Sequence, residues 1–174
     1  MLIRRFEQGL TLIELLITIV VLGIVAAYGV PSMTGFFEKQ RVSGAAHTFL
    51  SDIQFARAEA IKQNQDIELE LNAGQWCYGI DDETASNCSC TAAAATNCTV
   101  NGNTYFVSGN DFPNVTASSS VTTITFDPVR GTLSPLNRTV SFSSGDYSVS
   151  VIWSAVGRAR LCATAGNSWG FDEC

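Results

Sequence analysis

Gly9-Leu10-Thr11-Leu12-Ile13-Glu14-Leu15-Leu16 opens an apolar run that continues to Val30. From Leu10 to Val30 is about 21 residues, roughly 31 Å as a helix at about 1.5 Å per residue, close to one hydrocarbon core. Leucine, isoleucine and valine dominate the run, and Glu14 is its one ionisable residue. A carboxylate that close to a bilayer interior costs about 2.5–3.5 kcal/mol on insertion scales, so it needs a partner or a task. Cleavage after Gly9 would create a partner: the α-amino group of Leu10, a cation about one helical turn away, in the same chain or in a neighbour. The plainer alternative is an ordinary signal anchor whose Glu14 snorkels toward the headgroups.

On the N-terminal side, Met1 to Gly9 is too short for a conventional secretory signal, and a cut there precedes the apolar run, which stays with the mature chain. Arg4 and Arg5 place the N-terminus in the cytoplasm by the positive-inside rule, with the remainder beyond the inner membrane. Losing those nine residues leaves 8 basic and 15 acidic side chains, against 10 and 16 in the whole chain. So acidic a body argues against a broad nucleic-acid surface and leaves room only for a local basic patch.

On the C-terminal side the helical period resumes after Pro31. Val42, Ala46, Phe49, Ile53, Ala56 and Ala60 recur at steps of three and four, the stripe of an amphipathic helix. Glu38, Lys39, Arg41, Asp52, Arg57, Glu59 and Lys62 fall mostly outside it, with Arg57 and Glu59 expected to face water. One helix is predicted from Leu10 to Gln63, bent near Gly29-Val30-Pro31, where proline removes a hydrogen bond and crowds the preceding turn. His47 on it reads as a solvated or capping side chain.

From Ile67 the pattern alternates, and Ile67–Leu71 and Gln75–Ile80 are predicted as a hairpin about Asn72-Ala73-Gly74. Further strands are expected at Tyr105–Val107, Val121–Asp127, Thr139–Ser143 and Ser148–Trp153. Residues 81–103 lack periodicity and read as an exposed loop constrained by cysteines. Gly157 is expected in a turn just after the final strand, and Trp76 in the core or at its rim. The segments are thus 1–9, 10–30, 31–63 and a β-rich domain over 64–174. The fold class is α+β: a long N-terminal helix, its first half transmembrane, packed on an antiparallel β-sandwich-like domain.

Six cysteines fit an oxidising compartment: Cys77, Cys88, Cys90, Cys98, Cys162 and Cys174. Six allow 15 pairings. Cys162 with Cys174 is the pair we expect, stapling the tail to the last strand; the pairing of the other four stays open. Zinc at Cys88-Ser89-Cys90 with Cys77 and Cys98 is the alternative, though the spacing is not that of a C-x-x-C pair.

The short basic leader, Gly9, an apolar residue and Glu14 resemble the class III signal of type IV prepilins and type II secretion pseudopilins. Leu10 stands where that family usually has Phe, and Pro31 where pilins commonly break the helix. The resemblance implies a prepilin peptidase cutting between Gly9 and Leu10 and methylating Leu10. Downstream, Phe55-Ala56-Arg57-Ala58-Glu59-Ala60-Ile61-Lys62, Gln75-Trp76-Cys77-Tyr78-Gly79, Ile124-Thr125-Phe126-Asp127 before Gly131, and Gly157-Arg158-Ala159-Arg160 resemble the GspH/FimT family of minor pseudopilins and minor pilins. That implies a single-pass inner-membrane subunit with a periplasmic head, extracted into a filament near its tip. Its partners would be other major and minor pilins or pseudopilins, the peptidase and an inner-membrane assembly platform. Glu14 would then pair with the N-terminal amine of an adjacent subunit, and Pro31 would shape the helix.

A second reading is a DNA-binding minor pilin for natural transformation, since some family members bind DNA through a C-terminal Gly-Arg-x-Arg segment. Arg158 and Arg160 point to one side if extended, and Arg130 and Arg138 extend the patch if the fold brings them near. The same two guanidiniums suit an acidic neighbour in a filament. A third reading is an anchored periplasmic binding domain with an apolar pocket. The sequence contains one histidine and no H-E-x-x-H, G-x-S-x-G or Walker pattern, so no enzyme, cofactor or metal is expected. A filament motor ATPase would be another protein.

Overall fold

The computed structural model describes residues 11–74, 76–82, 88–91, 97–154, 156–163 and 170–174, without the side chains of 29–32. The leader, Gly9 and Leu10 lie outside the described residues, as does the side chain of Pro31. Among the described residues one α-helix, α1, runs Leu12–Gln63, and a 3-10 turn spans Gly109–Asp111. The strands among the described residues are β1 Ile67–Asn72, β2 Cys77–Asp81, β3 Thr99–Val100, β4 Asn103–Thr104, β5 Phe106–Ser108, β6 Thr116–Ser119, β7 Thr123–Phe126, β8 Leu133–Ser134, β9 Arg138–Ser144, β10 Tyr147–Trp153 and β11 Ala159–Ala163. The chain divides into two compact units, Met1–Phe37 and Glu38–Cys174.

In the first unit, Thr11 caps the helix: its carbonyl and its Oγ1 both accept the Glu14 N–H, at 3.1 and 3.3 Å. The spacing Thr11-x-x-Glu14 is that of a capping box, and the carboxylate sits at the positive end of the helix dipole. Leu12 to Val25 is helical and exposed, with Leu12 83%, Leu22 66% and Val25 63% accessible. Such a helix needs lipid or other helices around it. Counting only described side chains, no single helical piece is long and apolar enough to cross a membrane. Leu12–Tyr28 and Met33–Gln63 meet that criterion only when taken together as a bent pair, by length and composition alone. The bend expected at Gly29-Val30-Pro31 falls on side chains outside the description, and the backbone is helical on both sides.

In the second unit, Val42, Ala45, Ala46, Phe49, Ile53, Ala56 and Ala60 of α1 are completely or almost completely buried. The alanines let the sheets approach closely while Phe49 and Ile53 fill the space between them. Phe49 meets Tyr78 of β2 edge-on at 5.0 Å and Phe142 of β9 at 5.5 Å, joining both sheets to the helix. The helix ends at Asn64, whose φ of 55° is the left-handed geometry that asparagine tolerates.

One sheet has the order β5-β2-β1-β7-β8 and the other β11-β10-β9-β6; every pairing in them is antiparallel. β1 shows the alternation read from the sequence, with Ile67, Leu69 and Leu71 buried and Glu68 and Glu70 half-exposed. β2 is buried on both faces. Its inner residues Tyr78 and Ile80 join the core; on the outer side Cys77 is bonded to Cys90 and Gly79 lies against Cys88 and Cys98. Of the described residues in 81–103, the segment expected to be an exposed loop, Cys88, Cys90, Cys98 and Val100 are buried and β3 pairs with β4, while Asn101 to Asn103 are exposed. Gly79 makes this cover fit, because a Cβ there would come within 2.6 Å of Cys88 Sγ.

β11 was not among the expected strands. Gly157, with φ 76°, turns β10 into it, rather than following a final strand. Ala163 forms a bridge to Glu173 and its N–H donates to Asp172 O at 2.8 Å, so the C-terminal tail lies along the end of β11.

Candidate functional site

The expected basic patch is built at one end of the second unit by two turns that touch. In the β7–β8 turn, Asp127 Oδ1 accepts the N–H groups of Val129 and Arg130 at 2.9 and 2.6 Å, and Gly131 N–H donates to Asp127 O at 2.9 Å. This Asx geometry explains why aspartate follows the strand and glycine closes the turn, with φ 59°. In the β10–β11 turn, Gly157 N–H donates to Ser154 O, and Ser154 N–H to Arg158 O, both at 3.0 Å. A Cβ on Gly157 would collide with Gly131 O and approach Arg57 Cζ to 3.1 Å.

Arg57 lies under both turns. It does not face water as expected: it is half-buried and donates Nη1 to Gly157 O at 3.1 Å. Its Nε is buried with no hydrogen-bond partner among the described residues. Helical angle alone places Arg57 beside the stripe, not in it; two glycines far away in sequence make the space it occupies.

Arg130 and Arg158 therefore flank one backbone contact and are both exposed. Arg160 stands opposite Ile152 on the outer face of β11, also exposed. With Asn137, Ile152, Trp153 and Val156, Arg158 and Arg160 line a groove of about 460 Å³. Arg138 is not brought to that face. It stands opposite Trp153, at the register position of the core-facing side chains, with β10 between it and Arg160. Trp153 is buried and anchors this end, donating Nε1–H to Pro135 O at 2.9 Å.

All six cysteines are paired: Cys77–Cys90, Cys88–Cys98 and Cys162–Cys174. Disulfide sulfurs are not thiolate ligands, so the zinc alternative falls. Trp76 is core: it stacks on Phe112 at 5.6 Å, meets Phe142 at 5.3 Å and donates Nε1–H to Val115 O at 2.7 Å. His47 is exposed, with its ring 5.8 Å from Phe171.

One polar pair was not anticipated. Tyr78, buried in β2, donates its hydroxyl to Asp52 Oδ2 at 2.6 Å. Burial raises the Asp52 carboxyl above its ordinary value, and the tyrosine hydrogen bond opposes that only in part. Burial, and then the Asp52 charge, push the Tyr78 phenol far up, so it stays a donor. On the same helix Glu59 is held below its ordinary value, chiefly by Lys62 at 2.9 Å, with Gln63 and Asn101 assisting.

A family model described as type II transport protein GspH matches residues 45–157, and one for the prokaryotic N-terminal methylation motif matches residues 4–29. The fold is similar to that of the type IV minor pilin FimU of Pseudomonas aeruginosa, with TM-score 0.55 at 21% identity over 75% of this chain and 97% of that one. It is also similar to the minor pseudopilin EpsH from the type 2 secretion system of Vibrio cholerae, with TM-score 0.53 at 14% identity over 71% of this chain and 97% of that one.

Proposed function

The chain belongs to the GspH family, and from that premise we propose that it is a minor pilin or pseudopilin subunit of a type IV pilus or type II secretion pseudopilus. One observation carries the reading: an N-terminal methylation motif, an exposed apolar helix and a GspH-type head follow one another in a single chain. The subunit waits in the inner membrane with its head in the periplasm. A prepilin peptidase cuts between Gly9 and Leu10 and methylates Leu10, and the assembly platform then passes the subunit to a filament near its tip. There the apolar helix packs against those of neighbours, and Glu14 pairs with the amine of an adjacent Leu10, fixing axial register. Its role is structural. Mass spectrometry of the protein from cells holding the peptidase should find Leu10 at the N-terminus, methylated. An intact Met1 in such cells would sink the reading.

The contact of the Gly131 and Gly157 turns favours a second reading, DNA binding, through Arg158 and Arg160 with Arg130 beside them and without Arg138. Each phosphate neutralised contributes about −0.9 to the log–log salt slope. We expect weak binding or none in a gel shift of residues 38–174, given the acidic remainder. Salt-sensitive binding that Arg158→Ala with Arg160→Ala abolishes would reverse the order of the two readings.

A further inference from the structure

Between α1 and the edge strand β5 runs a groove of about 210 Å³. Its floor is Tyr78 and Ile80, both almost fully buried, and its sides include Thr48, Asp52, Thr104 and Tyr105. We infer that this groove receives one basic side chain, a lysine or arginine presented by a neighbouring pilin subunit, with Asp52 as its anion and Tyr105 as its aromatic wall. The inference rests on the reading of the chain as a pilin.

Asp52 is a half-buried carboxylate whose hydrogen-bond partner, Tyr78, is neutral. A carboxylate partly withdrawn from water gains most from a cation, since an opposite charge within about 4–6 Å favours the ionised form. Its carboxyl is raised because burial acts on it without such a charge; Glu59, with Lys62 beside it, shifts the other way. The cations of the head helix are engaged elsewhere. Lys39 lies over the Tyr147 ring at 4.7 Å, Arg41 reaches Pro113 O, Arg57 holds Gly157 O and Lys62 holds Glu59. Arg130, Arg158 and Arg160 belong to the two turns described above, Arg138 stands opposite Trp153 on β9, and none of the four lines this groove. No lysine or arginine of the described residues lines the groove, so a cation that enters it comes from another chain.

The walls suit a long basic side chain better than a hydrated ion. Tyr105 is packed against Phe55 at 4.8 Å, which fixes its ring, and Ile80 offers apolar floor to a methylene stem. A cation near an aromatic face gains about 0.5–2 kcal/mol according to its desolvation. Thr104 is exposed at the rim, so a probe there sees whatever enters without disturbing the core.

The test uses the full-length chain in cells that assemble the filament. A photo-crosslinking amino acid at position 104 should capture a peptide of another pilin subunit centred on a lysine or arginine. Asp52→Asn, which keeps the tyrosine hydrogen bond, should lower incorporation into sheared filaments about tenfold. Asp52→Lys should abolish incorporation, and glutamate at the captured basic residue should restore it. Capture of a peptide without a basic residue, no capture, or Asp52→Asn at native level would overturn the inference. If Leu10 is then still the N-terminus and Glu14→Ala still blocks incorporation, only the groove is wrong. If Met1 is intact, the pilin reading itself has failed.

Discussion

Asp52, if it receives a neighbour's cation as proposed, sets assembly against stability at the scale of one residue. In the folded head its carboxyl is raised by burial, so it keeps its proton to higher pH than in the unfolded chain, where the value is about 3.9. The stabilisation tied to the protonated form is complete below that unfolded value and is lost as pH rises through the folded one. Asp52→Asn removes the titration while keeping an acceptor for Tyr78. Its stability relative to the native head should therefore improve as pH rises from about 4 toward neutrality. Urea unfolding of residues 38–174 at stepped pH measures this; a difference that is flat or falls with pH contradicts the assigned cause. Glu70 is raised for a related reason, burial first and then the charges of Glu68 and Asp81, so it adds a background slope of the same sign to both proteins. Neither group was legible in the sequence. Helical angle puts Asp52 off the stripe, and only the pairing of β2 with β1 and β5 brings the Tyr78 hydroxyl to it. Arg57 escaped for a similar reason, because its partners are backbone atoms of turns far away in the chain.

At the scale of elements, the tail staple carries the clearest energetic consequence. Cys162 and Cys174 close a short loop, with a sequence separation of 12, and Cys162 is fully buried on β11. Closing a loop of that size stabilises by about 3 kcal/mol, chiefly by restricting the unfolded chain. Cys174→Ser should lower the denaturant midpoint of the oxidised head accordingly, with far-ultraviolet circular dichroism unchanged. An unchanged midpoint would mean that the tail is held by its hydrogen bonds to Ala163 alone. The strands visible beforehand, β1, β2, β5, β7, β9 and β10, carry β-branched, aromatic or other large apolar residues between polar turns. β6 was missed because its inward residues are Ala117 and Ser119, too small to register as a hydrophobic period. β11 was missed because Ala159 and Leu161 alternate with Arg160 and then run into buried Cys162 and Ala163. The two-residue pairs β3–β4 and β7–β8 rest on tertiary context, which no local pattern records. The insertion looked exposed because its composition is polar. Its cysteines are buried because two disulfides hold them against β2 and Gly79.

Across the whole molecule, two surfaces need unlike surroundings: an exposed apolar helix and an acidic, water-facing head. The first half of α1 has no core of its own; on the proposed reading lipid covers it before assembly and neighbouring helices afterwards. Glu14 is the residue at which those two environments differ most. In lipid it costs free energy, so alanine in its place should leave insertion intact or improve it. On the proposed reading, the carboxylate gains the amine of an adjacent Leu10 as its partner in the filament. Removing one member of a buried pair costs about 3–5 kcal/mol, because the other charge is left without compensation. Glu14→Ala should therefore reach the membrane at native level, be processed to Leu10, and be more than a hundredfold depleted from sheared filaments. Thr11 supplies the internal control. Thr11→Val removes the Oγ1 cap on the Glu14 N–H but keeps the carboxylate, costing about 1 kcal/mol of helix-end stability and so far less incorporation. Immunoblots of membrane and filament fractions compare the three chains. Equal depletion of both variants would mean that the order of the helix end, and not the charge of Glu14, governs assembly; Glu14→Ala at native level in filaments would remove the register role altogether.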